Sequence, residues 1–181
     1  GAIRLDLPKT DIKVNDQQVL VLPQLQSESR EMVSEIMVLA GRVIAQYSIE
    51  NNISMPYLSQ ASGKFSEEII ENINNLSLSK TFEAAKGFSR SKLSVTPSLH
   101  AGLGLEAYIR VTSPMRRYLD LVVQQQLINY ISGLELLNKD EIKDRIKVIN
   151  SPMSKTNKAV RQSIDHFRCL YFKQNRSWEG Q

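Results

Sequence analysis

The amino-acid sequence predicts an α+β fold, a mixed sheet packed by several long helices. Three observations carry this expectation. Apolar residues recur at helical spacing over residues 28–51, 114–132, 139–149 and 152–174. Shorter stretches within 1–22, 53–58 and 88–112 interleave apolar and polar residues as strands do. The chain has 181 residues, with 41% apolar and 23% charged, enough for one domain with a real core.

The elements follow in order. Gly1–Leu7 alternates apolar and polar residues and reads as a strand. Pro8–Asp16 is turn-rich, and Val19–Leu22 is a second strand that could close a hairpin. Ser27 is a suitable N-cap for a helix reaching about Asn51, with Glu28 and Glu31 in its favourable first turn. Met32, Val33, Ile36, Met37, Ala40, Val43, Ile44 and Tyr47 define its expected buried face. Glu35 lies beside that face and reads first as a surface carboxylate. Ile53–Gln60 is extended, Ser66–Asn75 a small helix, Lys80–Lys86 a further helical turn or two, and Phe88–Thr96 a strand.

The most informative stretch is Ala107-Tyr-Ile-Arg-Val-Thr-Ser-Pro-Met-Arg-Arg-Tyr-Leu-Asp120. Ser113 suits an N-cap and Pro114 the first helical position, so a helix is expected from there to about Ser132, stopped by Gly133. Met115, Tyr118, Leu119, Val122, Val123 and Tyr130 fall on one side, and Arg117, Asp120 and Gln124 on the other. Arg116 and Arg117 in a first helical turn oppose the helix dipole, which implies an anion to bind. Asp120 is placed to orient either guanidinium. Thr112, Ser113 and both arginines converge with backbone N–H groups, the recipe for holding a phosphate. The bland alternative is a surface Arg–Asp pair worth a few tenths of a kcal/mol. His100, near Gly102 and Gly104, reads first as a structural histidine. Asn138 caps a helix to about Ile149, and Ser151–Pro152 restarts another, reaching about Gln174. Lys155, Lys158, Arg161 and Arg168 line one face of that last helix, interrupted by Asp165.

Charge sharpens the picture. Residues 1–79 hold 6 Lys/Arg against 10 Asp/Glu, whereas residues 80–181 hold 17 against 9. A basic half suggests a polyanionic partner; a solvated basic face explains the same count equally well. The single cysteine, Cys169, excludes an internal disulfide, and two histidines with one cysteine are too few for a structural zinc site. No uninterrupted apolar run approaches the ~20 residues of a membrane span, and no membrane partner is expected.

The string from Pro97 through His100, Tyr108 and Thr112-Ser-Pro-Met-Arg-Arg-Tyr-Leu-Asp120 closely resembles the signature of the ribonuclease II/ribonuclease R family. Met32–Ala40 resembles the same family's helix, and Gly1–Pro8 the strand before it. The resemblance implies part of an RNB-type catalytic domain. It implies processive 3′→5′ hydrolysis of single-stranded RNA to 5′-nucleoside monophosphates, with Mg²⁺ at an aspartate cluster. It assigns Arg116 as the catalytic arginine that clamps the phosphate, and Glu35 to the 3′-terminal nucleotide. Thr112, Ser113, Arg117 and Tyr118 would support RNA binding, with Asp120 and His100 behind them. Localisation would be bacterial cytoplasm or plastid stroma. The departures are equally definite. The family's metal-binding aspartates have no equivalent here; Asp6, Asp11 and Asp16 do not imitate them. Ser34 stands in place of a usual Glu and Gly41 in place of a usual Asn. The chain therefore reads as the C-terminal half of the catalytic domain, without the aspartate-bearing half, the cold-shock-like domains or the S1 domain. The full-length protein is expected to be a monomer that binds Mg²⁺ outside this chain. The 181-residue chain alone is expected to self-associate through uncovered apolar surface and to lack nuclease activity. Two other readings stay open: a non-catalytic RNA or polyanion-binding module on the same fold, and a docking protein that uses its helices.

Overall fold

The structure is a computed structural model that describes residues 7, 10–16, 18–24, 27–63 and 77–175. The expected strand at 1–7 and the small helix at 66–75 lie largely or wholly outside these residues. The α+β class holds, in two compact units. The described strands form two separate two-stranded antiparallel sheets rather than one mixed sheet.

The first unit takes in residues 28–147. Its helix α1 spans Glu28–Glu50, close to the expected bounds. The buried stripe differs from the expected one. Gly41, Ala45 and Ser48 face the core, whereas Met32, Val33, Ile36, Met37, Val43 and Tyr47 are 40% or more exposed. Close approach explains this. A Cβ at Gly41 would stand 2.4 Å from the Ile109 carbonyl oxygen and 2.4 Å from the Tyr108 ring, so only hydrogen fits. The small side chains at 41, 45 and 48 let α1 lie directly on the chain at 108–109. By length and hydropathy α1 could also cross a membrane, but Glu35 and Arg42 near its middle and its packed stripe fit a domain helix.

Strand β3, Tyr57–Ser59, pairs antiparallel with β4, Lys92–Ser94, and helix α2, Leu78–Gly87, lies between them in sequence. The extended segment after the short 3₁₀ turn at Ala101–Leu103 joins neither ladder. It is held instead by single bonds: the Leu58 N–H donates to the Tyr108 carbonyl at 2.9 Å, and Gln124 Nε2 donates to the Val111 carbonyl at 3.0 Å. Ala45, Ile53, Met55, Tyr57, Ile109, Val111 and Val123 form the core of this unit.

Helix α3, Tyr118–Ile131, ends as expected at Gly133, in a Schellman arrangement. Leu134 N–H bonds the Asn129 carbonyl at 2.8 Å and Gly133 N–H the Tyr130 carbonyl at 3.2 Å, with Gly133 at φ 67°. Buried Gln126 then ties three segments: its Nε2 donates to Ser54 and Leu137 carbonyls, and its Oε1 accepts the Leu137 N–H.

Helix α4 runs unbroken from Lys139 to Asn175, so the two helices expected at 139–149 and 152–174 are one. Its start is a reciprocal capping box. Asn138 Oδ1 accepts the Asp140 and Glu141 N–H groups, and Glu141 Oε2 accepts the Asn138 N–H. Pro152 lacks the N–H that would bond the Val148 carbonyl, a local cost the helix absorbs without stopping.

The second unit contains residues 8–27 and 148–181. Strand β1, Thr10–Asn15, occupies the stretch expected to be a turn and pairs with β2, Gln18–Pro23, in register from Thr10↔Pro23 to Asn15↔Gln18. Val19 is buried, and its N–H donates to Gln174 Oε1 at 3.1 Å.

Candidate nucleic-acid interface

The corner begins with a turn rather than a helix. Arg116 and Arg117 N–H groups bond back to the Ser113 carbonyl at 3.3 and 3.0 Å, with Pro114 directly after it. This is the position where the fixed φ of proline favours a tight turn. Helix α3 starts only at Tyr118, and Arg117 occupies its N-cap position. The expected start at Ser113–Pro114 is therefore four residues early. Ser113 contributes its backbone N–H rather than a capping hydroxyl.

The reason is Asp120. It is completely buried, not on a solvent face as the helical wheel places it. Its Oδ2 accepts the Ser113 N–H at 3.0 Å and Arg117 Nε at 2.9 Å, and lies 2.9 Å from Arg117 Nη2. A buried carboxylate requires such donors, and it holds the turn to the helix it precedes. Arg117 Nη2 also reaches Thr112 Oγ1 at 3.5 Å. Asp120 Oδ1 is buried without a hydrogen-bond partner among the described residues.

The two arginines thus differ. Arg117 is anchored to Asp120, whereas Arg116 is exposed and its side chain makes no hydrogen bond or ion pair to a described residue. Met115, expected on the packed side, is fully exposed at the tip of the turn. Tyr118 is 42% exposed, and its hydroxyl accepts a hydrogen bond from Arg145 Nη1 on α4.

Beside this turn stands the extended segment 107–112. Ile109 and Val111 are buried, so the two-residue alternation of extended chain puts Tyr108, Arg110 and Thr112 on the other side. The Tyr108 ring meets His100 edge-on at 5.6 Å. His100 is buried, its Nδ1 without a partner among the described residues. Burial holds the imidazole below its ordinary pKa, helped by the Arg110 charge and opposed by a backbone hydrogen bond. The lowered pKa favours the neutral imidazole, which packs against Tyr108. Arg110, which sequence reasoning missed, is half-buried. Burial lowers its pKa, Arg117 pushes the same way, and Asp120 and Tyr108 oppose them. The signal was present as a cation at an alternate position in a strand-like run. Glu35 is exposed on α1 and its side chain makes no hydrogen bond or ion pair with a described residue, so the structure does not join it to this corner.

Among the described residues no three of His, Cys, Asp and Glu converge as a metal site would need. Asp120 is the only buried carboxylate among them, and its Oδ2 is committed to Ser113 and Arg117. These residues do not fit the Mg²⁺ centre that the resemblance implies.

A buried carboxylate anchors one arginine and leaves the side chain of its neighbour uncommitted among the described residues, beside a helix start, a geometry suited to an anion. The RNB domain profile matches residues 1–133, and the chain belongs to the RNB domain family. A protein described as an uncharacterized ribonuclease of Synechocystis is 34% identical, over 99% of this chain and 28% of its own length. The chloroplastic/mitochondrial ribonuclease II of Arabidopsis thaliana is 28% identical, over 74% of this chain and 17% of its own. Mycoplasma genitalium RNase R, solved with ribose-methylated single-stranded RNA, superposes with a TM-score of 0.80 at 20% identity, over 97% of this chain and 33% of that one. The last likeness concerns the fold. The chain spans less than a third of the length of the two curated relatives.

Proposed function

We propose that this chain is the C-terminal half of the catalytic domain of a processive 3′→5′ exoribonuclease. Its substrate is single-stranded RNA, released as 5′-nucleoside monophosphates. One observation carries the reading: Asp120 anchors Arg117 and fixes the turn, leaving Arg116 exposed and uncommitted at the start of α3. A guanidinium held on a rigid turn can grip a phosphodiester and stabilise charge that develops on it during cleavage. Thr112, Ser113 and Tyr118 shape the same surface, and His100 supports it through Tyr108. Glu35 is proposed to meet the 3′-terminal nucleotide from α1. The activity is proposed to depend on Mg²⁺ held by aspartates outside these residues. Relatives from a cyanobacterium and a plant organelle support a bacterial or plastid setting.

The test is Arg116→Ala in a polypeptide carrying this chain within its complete reading frame. Turnover should fall about 10²–10³-fold, as for other donors aimed at developing charge. RNA affinity should change far less, because the interaction matters most in the transition state. Unchanged turnover would remove the role assigned to Arg116.

A further inference from the structure

Arg110 lacks what a half-buried cation ordinarily has. A guanidinium carries five N–H donors, and taking one partly out of water is costly unless acceptors replace the lost solvent. Arg110 is half-buried and makes no hydrogen bond or ion pair with a described residue. Its cationic neighbour Arg117 is already committed to Asp120 and Thr112. The nearby anion, Asp120, is wholly buried, yet its Oδ1 has no donor among the described residues. The corner therefore contains both an unanswered cation and an unanswered carboxylate oxygen. Burial and the Arg117 charge disfavour the Arg110 cation, and Asp120 and Tyr108 oppose them without a direct bond to it.

The backbone explains why Arg110 stays in place. Its neighbours Ile109 and Val111 are core residues, and the carbonyls of Tyr108 and Val111 are fixed by Leu58 and Gln124. Chain alternation sets Arg110 between Tyr108 and Thr112, on the side where Thr112 meets Arg117. The two guanidiniums are thereby held near enough for the Arg117 charge to act on Arg110. Such a pair is stabilised by an anion that both can face.

We propose that Arg110 is a second phosphate-binding residue of this corner, taking a backbone phosphate of single-stranded RNA beside the one gripped by Arg116. This rests on the function proposed above. Arg110 contributes affinity and register, whereas Arg116 acts on the reacting phosphate.

The experiment measures binding of a short oligouridylate to the 181-residue chain across a salt series. Wild type should bind, with affinity falling as salt rises. Arg110→Gln should weaken binding about three- to tenfold at low salt and flatten the log–log salt slope by about 0.7, the value for one single-strand phosphate contact. Arg110→Lys should restore the slope while leaving part of the affinity deficit, because it returns charge without the fork. An Arg110→Gln slope equal to wild type overturns the proposal, including the case where only the melting temperature falls because Arg110 serves Asp120. The Arg110 Nε–H resonance of the wild-type chain gives a readout independent of variant folding. It should shift on adding oligouridylate, and an unmoved signal also overturns the proposal. Wild type that binds no RNA at all overturns both this and the underlying function. Wild type that binds while Arg110→Gln binds equally overturns only the role of Arg110.

Discussion

Two regions of this molecule are basic, and they are built in opposite ways. Around the turn at 112–117, positive charge is organised by a buried carboxylate, backbone donors and a hydroxyl. Along α4, Lys155, Lys158, Arg161 and Arg168 stand exposed on a helix face. The only anchoring there is a surface contact of 3.6 Å between Arg168 and Asp165, among the described residues. The difference teaches that charge count and charge placement are separate properties. A loose stripe attracts any polyanion through long-range, salt-screened force. A fixed guanidinium discriminates by geometry, because its position is set before the ligand arrives.

That contrast can be broken by substitution. The largest effect belongs to Arg116→Ala on turnover, as set out above. Next comes Asp120→Asn, which keeps the shape but removes the charge that anchors Arg117. Thermal or denaturant unfolding should report a loss of about 2 kcal/mol, typical for buried hydrogen bonds to a charged group. A loss near zero would mean that the turn is held by Pro114 and the Ser113 carbonyl alone.

His100 gives a smaller, pH-dependent effect. Its folded pKa is depressed, so the neutral form is favoured by folding. The stabilisation is complete above the unfolded value of about 6.5 and is lost as pH falls through the folded value. Melting curves of wild type should therefore drop more steeply below about pH 6.5 than those of His100→Gln. Parallel curves would show that the imidazole does not titrate in that window. The smallest effect is expected on α4. The pair Lys158→Gln and Arg161→Gln should alter stability by less than about 0.5 kcal/mol. Any loss of RNA affinity should vanish at high salt. A salt-independent loss would show that this stripe is as organised as the corner.

Much of this was legible in the sequence where local chemistry decides the outcome. The Asn138 cap with Glu141, the stop at Gly133 and the range of α1 all depend on residues a few positions apart. The string from Thr112 to Asp120 points to the same stretch in which Asp120 ties Ser113 and Arg117 together, though its start as a helix at Ser113 is not what forms. Helical periodicity put Asp120 outside, because a wheel does not foresee a preceding turn folding back onto the helix. Ser151–Pro152 reads as a helix restart because a Ser cap followed by proline suits a helix start, yet one helix continues through it. The stretch Thr10–Asn15 was missed as a strand because its alternation is mostly solvent-facing and its turn-forming Asp and Asn dominate. Arg110 escaped because its significance lies in what surrounds it, and no linear motif shows a missing partner.

The Asp120 carboxylate has a consequence for how this site withstands change elsewhere. Its acceptor bonds reach Ser113 and Arg117, seven and three residues away. The corner is thus a low-contact-order element, closed by short-range bonds. Long insertions in the loops before β4 should leave its bonding intact, provided the Gly41 contact still seats the extended segment at 108–109. In design terms, the corner is a cassette carried by a scaffold.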